Sequence, residues 1–303
     1  MIKTSRQLKD KVKNLTAGLS VREKSEKSQM LIRNYLMERL LERISVSNYR
    51  DNFILKGGML VASITGLDAR ATKDIDATVN ALTLEYENIS SILNEVMQID
   101  LGDNILYNLK SHADIMEDFQ YPGLRLMIEA KFDSIDLVFQ MDVSTDDVIT
   151  PGAVEYAYHM MLEDRTIPLK TYNLETLLAE KMQTIAARGE ANTRARDFYD
   201  IYMLIKLRDS DIHYETLKEA FTATSKKRGS SEQSDKIFEM LNRFESSAEG
   251  LALWENFKQS SYFAGDVSWA EVIDSVRSLA YKVISTDADL SEAENEELLP
   301  AMG

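Results

Sequence analysis

The 303-residue chain contains no cysteine, which removes disulfides, thiolate metal sites and cysteine nucleophiles. Histidine is almost as scarce: His112, His159 and His213 are scattered and do not suggest a zinc site. A catalytic cation would have to be held by carboxylates, and oxygen ligands point to Mg2+ or Mn2+. With four prolines and twelve glycines, no Pro/Gly-rich linker marks a domain boundary. No apolar run approaches the ~20 residues of a membrane span. The basic N-terminus lacks the apolar segment of a signal peptide, so a cytoplasmic protein with no membrane partner is expected. Positive charge is also short: 35 Lys+Arg stand against 50 Asp+Glu, a net charge of −15. This excludes a broad nucleic-acid-coating surface, but not a local basic groove. Six of the acids lie from Asp287 onward with no base among them. They read as a solvated terminal tail.

Hydrophobic residues at 44% and charged residues at 28% are ordinary for a globular protein, and the length allows two domains. Residues 22–44 place Leu31, Tyr35, Leu36, Leu40 and Ile44 at helical spacing. A short apolar stretch at 53–55 ends in Lys56-Gly57-Gly58, and a short helix follows from Met59. Residues 74–79 alternate as a strand, and 86–97 read as a helix. Residues 124–132 and 135–143 form two alternating strands joined by a tight turn at Asp133-Ser134. After Pro168 helical patterns take over. The expected architecture is α+β: a domain over 1–165 with a small mixed or antiparallel sheet, then a mostly helical domain over 166–303.

Three features carry chemistry. Successive glycines at 57 and 58 let backbone N–H groups approach an anion closely, and a helix starting there adds its dipole. Alone this is weak, because glycine pairs commonly just make turns. Asp74 and Asp76 lie two apart on a strand, so both carboxylates face one way while Ile75 packs the other. Two such charges repel unless a cation lies between them. A lone pair of this kind is commonly a solvated strand face. Asp142 lies on a later strand, on the face opposite Ile135, Leu137, Phe139, Met141 and Val143. Placed beside the first strand, it would complete a three-carboxylate set able to hold two divalent ions ~3.5–4 Å apart for in-line phosphoryl displacement. Asp136, Asp146 and Asp147 compete for that third place.

The order of glycine pair, Asp-x-Asp and later Asp is similar to that of the DNA polymerase β-type nucleotidyltransferase superfamily. Within it, residues 53–79 resemble the AbiEii/AbiGii toxins, which pair a Lys-Gly-Gly with the pattern seen here as Arg70-Ala71-Thr72-Lys73-Asp74-Ile75-Asp76. Glu180-Lys181-Met182 and the segment from Arg194 to Asp200 match two further motifs of that family, and residues 139–151 resemble its third-carboxylate region. The resemblance spans roughly residues 25 to 210. Many superfamily members carry Gly-Ser where this chain has Gly57-Gly58, so a serine contact to the phosphates is missing.

The resemblance implies roles. Asp74, Asp76 and Asp142 would bind metal, with Asp142 able to take the proton of the attacking hydroxyl. Lys56, Gly57 and Gly58 would contact a triphosphate, and Arg70 and Thr72 would orient it or merely brace the loop. Lys181 borders the apolar stripe of its helix; it is either a snorkelling surface lysine or a cation reaching the nucleotide. Asp197 either pairs with Lys181 or Arg196 or assists the site directly. Arg188, Arg194 and Arg196 form a local basic cluster suited to an RNA acceptor, or to balancing nearby acids. Further implications are an NTP donor with GTP favoured, an RNA acceptor such as tRNA, an AbiEi-type antitoxin and a toxin–antitoxin system for abortive phage defence. The competing expectations are an inactive nucleotide- or partner-binding module on the same fold and a kinase-like phosphotransferase.

Overall fold

A computed structural model describes residues 1–66, 70–116, 122–231 and 236–284. The acidic tail from Asp287 lies outside them. Two compact units make up the chain: Met1–Asn173 with Lys258–Gly265, and Leu174–Phe257 with the segment beginning at Asp266.

The first unit opens with helix α1 (Ser5–Leu15) and the long helix α2 (Val21–Val46). Ser20 and Glu23 form a reciprocal capping box at the start of α2, satisfying two donors the helix cannot satisfy itself. The helix spans the expected 22–44, and Leu31, Tyr35, Leu36, Leu40 and Ile44 are all buried. Strand β1 (Phe53–Lys56) runs directly into α3 (Gly57–Thr65). Then follow β2 (Asp74–Val79), α4 (Tyr86–Met97), β3 (Ile105–Met116), β4 (Pro122–Phe132), β5 (Ile135–Thr145), β6 (Val154–His159) and β7 (Thr166–Thr171). Asp133, in the left-handed region at φ 51°, makes the tight β4–β5 turn.

The seven strands form one mixed sheet in the order β3-β4-β5-β2-β1-β7-β6. Pairing is antiparallel except at β2–β5 and β1–β7. One face is apolar: Leu124, Leu126 and Ile128 of β4, Phe139, Met141 and Val143 of β5, and Ile75 and Ala77 of β2 are buried. Helix α2 covers that face. Tyr107 Oη of β3 donates to the Leu36 carbonyl at 2.7 Å, and the Tyr35 and Phe132 rings lie 6.3 Å apart. Arg43 grips Asp103 with both guanidinium nitrogens, at 2.8 and 2.9 Å, and Arg39 adds a third contact at 2.8 Å. These side chains are at most 2% exposed, so they lock α2 to the segment entering β3.

The expected division after residue 165 falls inside the β6–β7 hairpin. Strand β7 pairs with β1 in the middle of the sheet, so the first unit extends to Asn173.

The second unit is helical: α5 (Leu174–Arg188), α6 (Ala195–Arg208), α7 (Tyr214–Lys227), α8 (Ile237–Ser246), α9 (Ala248–Ser260) and α10 (Trp269–Ile284). Its core holds an aromatic cluster in which the Phe198, Phe244 and Trp254 rings lie 5.2–5.7 Å from Trp269. Among the described residues no helix is long and apolar enough to cross a membrane.

Candidate functional site

Strand register builds the site. Residues paired across strands project to the same side of a sheet. Parallel pairing of β2 with β5 sets Asp76 beside Asp142, Asp74 beside Gln140 and Thr78 beside Ser144. Antiparallel pairing of β1 with β2 sets Lys56 across from Asp76. Asp74, Asp76, Asp142 and Lys56 therefore share the face opposite the buried core. All four are half-buried.

The glycine pair closes one side. Gly57 has φ +62°, and a Cβ there would lie 2.1 Å from Asp76 Oδ2. Only glycine both takes that conformation readily and leaves room for the carboxylate. The Gly58 N–H donates to Asp76 Oδ2 at 3.3 Å. A Cβ on Gly58 would lie 2.5 Å from Thr72 Oγ1 and 3.0 Å from Arg70 Nη2. Arg70 and Thr72 are only 1% and 0% exposed. They brace the turn: Arg70 bonds the Ala71 carbonyl, and the Thr72 hydroxyl donates to Asp74 Oδ1. Both side chains therefore lie directly behind the glycines.

The electrostatics are those of crowded negative charge. Burial, reinforced by the Asp74 charge and more weakly by Asp142, pushes the Asp76 carboxyl up to about 6, against the pull of Lys56. Lys56 bonds Asp147, one of the competitors for the third-carboxylate place. Burial would raise the Asp147 carboxyl, but Lys56 and the Ser144 hydroxyl, at 2.7 Å, hold it below its ordinary value. Asp146 is exposed at φ 61°, and Asp136 is exposed near the start of β5. Neither joins Asp74 and Asp76.

Asp142 makes a contact that local pattern did not reveal. Arg125 on β4 is its cross-strand partner. Arg125 Nε lies 3.0 Å from Asp142 Oδ1 and Nη2 lies 2.8 Å from Oδ2, with Gln140 Nε2 at 3.0 Å. Among the described residues no three acidic or imidazole groups are drawn around one point closely enough to enclose an ion. The reason is visible: Asp142 turns to Arg125, Asp74 to Thr72 and Asp76 to Gly58. The donor chemistry nonetheless suits a hard cation. The three carboxylates share one face of adjoining strands, and the repulsion that Asp74 and Asp142 exert on Asp76 is what a divalent ion would relieve. A cavity of about 620 Å3 lies at the far ends of β2 and β5, lined in part by Ile54, Thr78, Thr145 and Asp147; Asp74, Asp76 and Asp142 do not line it.

Lys181 and Asp197 belong to the second unit. Lys181 is no snorkelling surface lysine. It is 8% exposed, and its Nζ lies 3.1 Å from Asp197 Oδ1 and 2.6 Å from Asp200 Oδ2. Asp197 and Asp200, three apart on α6, face α5 together. Arg194, rather than Arg196, supplies the second cation, with Nε 2.7 Å from Asp197 Oδ2. Asp200, fully buried, went unassigned in the sequence; its spacing from Asp197 was the signal for it.

A mixed sheet with a carboxylate pair on one central strand, a third carboxylate on its parallel neighbour and a glycine turn against them is the arrangement of a nucleotidyltransferase. The family described as nucleotidyl transferase AbiEii toxin, type IV toxin–antitoxin system, matches residues 39–275, and the chain belongs to it. MenT4, a nucleotidyltransferase toxin from Mycobacterium tuberculosis, is similar in structure, with TM-score 0.56 and 12% identity over 94% of this chain and 92% of that one. The crystal structure of JHP933 from Helicobacter pylori is similar at TM-score 0.50 and 14% identity, covering 89% and 98%. Such identities speak to fold alone. The curated proteins contain no match. The protein is a toxin nucleotidyltransferase of the AbiEii type, and its toxin–antitoxin family implies an antitoxin partner.

Proposed function

We propose that this chain transfers a nucleotide from an NTP, GTP favoured, to a hydroxyl of an RNA such as tRNA, in a reaction that requires Mg2+ or Mn2+. The observation that carries this reading is the β2–β5 register, which sets Asp76 and Asp142 side by side with Asp74 two residues away. Asp74, Asp76 and Asp142 would hold the metal. When bound, the metal neutralises charge on the triphosphate and on the leaving pyrophosphate.

The chain's own groups do the rest. The Gly57–Gly58 turn lets backbone N–H groups approach the phosphates, and Lys56 supplies a point charge beside Asp76. Arg70 and Thr72 keep the turn closed. Asp142 would take the proton as the acceptor oxygen attacks the α-phosphorus. The new P–O bond forms as the bond to the β-phosphate breaks, and pyrophosphate leaves. Catalysis of this kind is chiefly positioning and charge neutralisation. The antitoxin is proposed to be of the AbiEi type, within an abortive-infection phage defence, and the cytoplasm is the expected location.

The test supplies each α-labelled NTP with cellular RNA and protein. Label should enter RNA, GTP should serve best, pyrophosphate should be released and EDTA should abolish the reaction. Asp74→Ala and Asp76→Ala should lose it. Equal labelling by these variants would overturn the assignment in favour of an inactive binding module. Transfer of γ-label with release of nucleoside diphosphate would make the protein a phosphotransferase.

A further inference from the structure

Arg125 has no part in the transfer described above, yet it makes the closest contact to the third carboxylate. Its guanidinium meets both oxygens of Asp142, at 3.0 and 2.8 Å, in the fork-on-fork geometry arginine uses for carboxylates and phosphates alike. An arginine cannot release this grip by losing its proton. It can only move away, and its exposure decides whether it can. The Arg125 side chain is 45% exposed and Asp142 is 20% exposed. The structural pairs under α2 provide the contrast: Arg39, Arg43 and Asp103 are at most 2% exposed. A pair as open as Arg125–Asp142 adds little to the fold, so its displacement is easy. The guanidinium also feels more than Asp142: the charges of Asp74 and Asp76 add to the hydrogen bonds that hold it protonated.

We propose that Arg125 is a built-in counterion for the carboxylate site. It holds Asp142 in place while no divalent cation is bound, and the cation displaces it. Once displaced, the guanidinium remains tethered to β4 beside the carboxylates and takes a phosphate group of the incoming nucleoside triphosphate. This rests on the reading that Asp74, Asp76 and Asp142 bind the cation. The two halves give effects of opposite sign, which a merely structural arginine would not.

The test follows free Mn2+ by electron paramagnetic resonance without nucleotide, using wild type, Arg125→Gln, Arg125→Lys and Asp74→Asn. Arg125→Gln should bind Mn2+ about fivefold more tightly than wild type, with Arg125→Lys in between. Asp74→Asn should abolish binding. With Mn2+ saturating, a non-hydrolysable α,β-methylene NTP should bind about tenfold more weakly to Arg125→Gln. Unchanged or weaker Mn2+ affinity in Arg125→Gln, with Asp74→Asn still defective, overturns the counterion and leaves the cation site standing. Tighter Mn2+ with unchanged nucleotide affinity overturns the phosphate role. Absence of Mn2+ binding in every protein overturns both the proposal and the cation-site reading. Should Arg125→Gln fail to fold by circular dichroism, Arg125→Lys carries the same comparison, because it keeps the charge and loses the fork.

Discussion

Replacing Asp76 by asparagine separates what this carboxylate does for the reaction from what it does to the fold. Without a divalent cation the Asp76 carboxyl is pushed up to about 6 from 3.8, by burial first and the Asp74 charge second. The folded chain therefore holds this proton more tightly than the unfolded chain does. Below the unfolded value both states are protonated and the site adds no penalty. As pH rises through about 6, the folded chain comes to carry an unfavourable ionised group. A shift from 3.8 to about 6, at 1.36 kcal/mol per unit, makes that penalty roughly 3 kcal/mol at neutral pH. Asparagine removes the charge and keeps a carbonyl to accept from the Gly58 N–H. In EDTA, Asp76→Asn should therefore be more stable than wild type by roughly 1–3 kcal/mol at neutral pH. The gain should shrink as pH falls and vanish near the unfolded value, while transfer is lost throughout. Saturating Mn2+ should reverse the order, because it stabilises only the chain that binds it. Both tryptophans, Trp254 and Trp269, lie in the second unit. Their fluorescence would miss the effect, so the assay is hydrogen exchange of β2 and β5 peptides across a urea series at two pH values. A variant no more stable than wild type at neutral pH, or a gain that persists at acid pH, would show that the Asp76 charge does not strain the fold.

Gly57→Ala forces a side chain into a left-handed position and against Asp76; it should lower the stability of the first unit by about 2 kcal/mol or more and abolish transfer. Wild-type behaviour of this variant would remove the glycine turn from the account. Lys181→Met removes the ammonium that meets both Asp197 and the fully buried Asp200, and should destabilise the second unit by about 3 kcal/mol. Tryptophan fluorescence in urea reads this directly, and a loss well below 1 kcal/mol would show that the ion cluster does not hold α5 to α6.

Local periodicity made the elements of the site legible. The alternation of residues 74–79 announced β2 and put Asp74 and Asp76 on one face. The apolar run of Ile135, Leu137, Phe139, Met141 and Val143 put Asp142 opposite the core, where it is found, with Leu137 half-buried. Partnership was not legible, because it depends on register between distant strands. Arg125 reads in its own strand as an ordinary polar position between Leu124 and Leu126. Only the β4–β5 pairing sets it against Asp142. Asp147 stood as one of several competing acids, and the fold pairs it with Lys56. Strand β3 went unread, since its alternation is broken by a register shift between Leu109 and Ser111. Strand β7 was assigned to the helical part for want of any sign that it pairs with β1. Lys181 looked like a stripe-edge lysine because its two acidic partners lie on the next helix.

Asp74, Asp76 and Asp142 are proposed to form one divalent-cation site. Anomalous diffraction from crystals grown with Mn2+ tests it most directly. A peak contacted by all three carboxylates should appear beside the Gly57–Gly58 turn, with Arg125 turned away from Asp142. A peak elsewhere, or Asp142 still gripped by Arg125 beside a fully occupied ion, would contradict it.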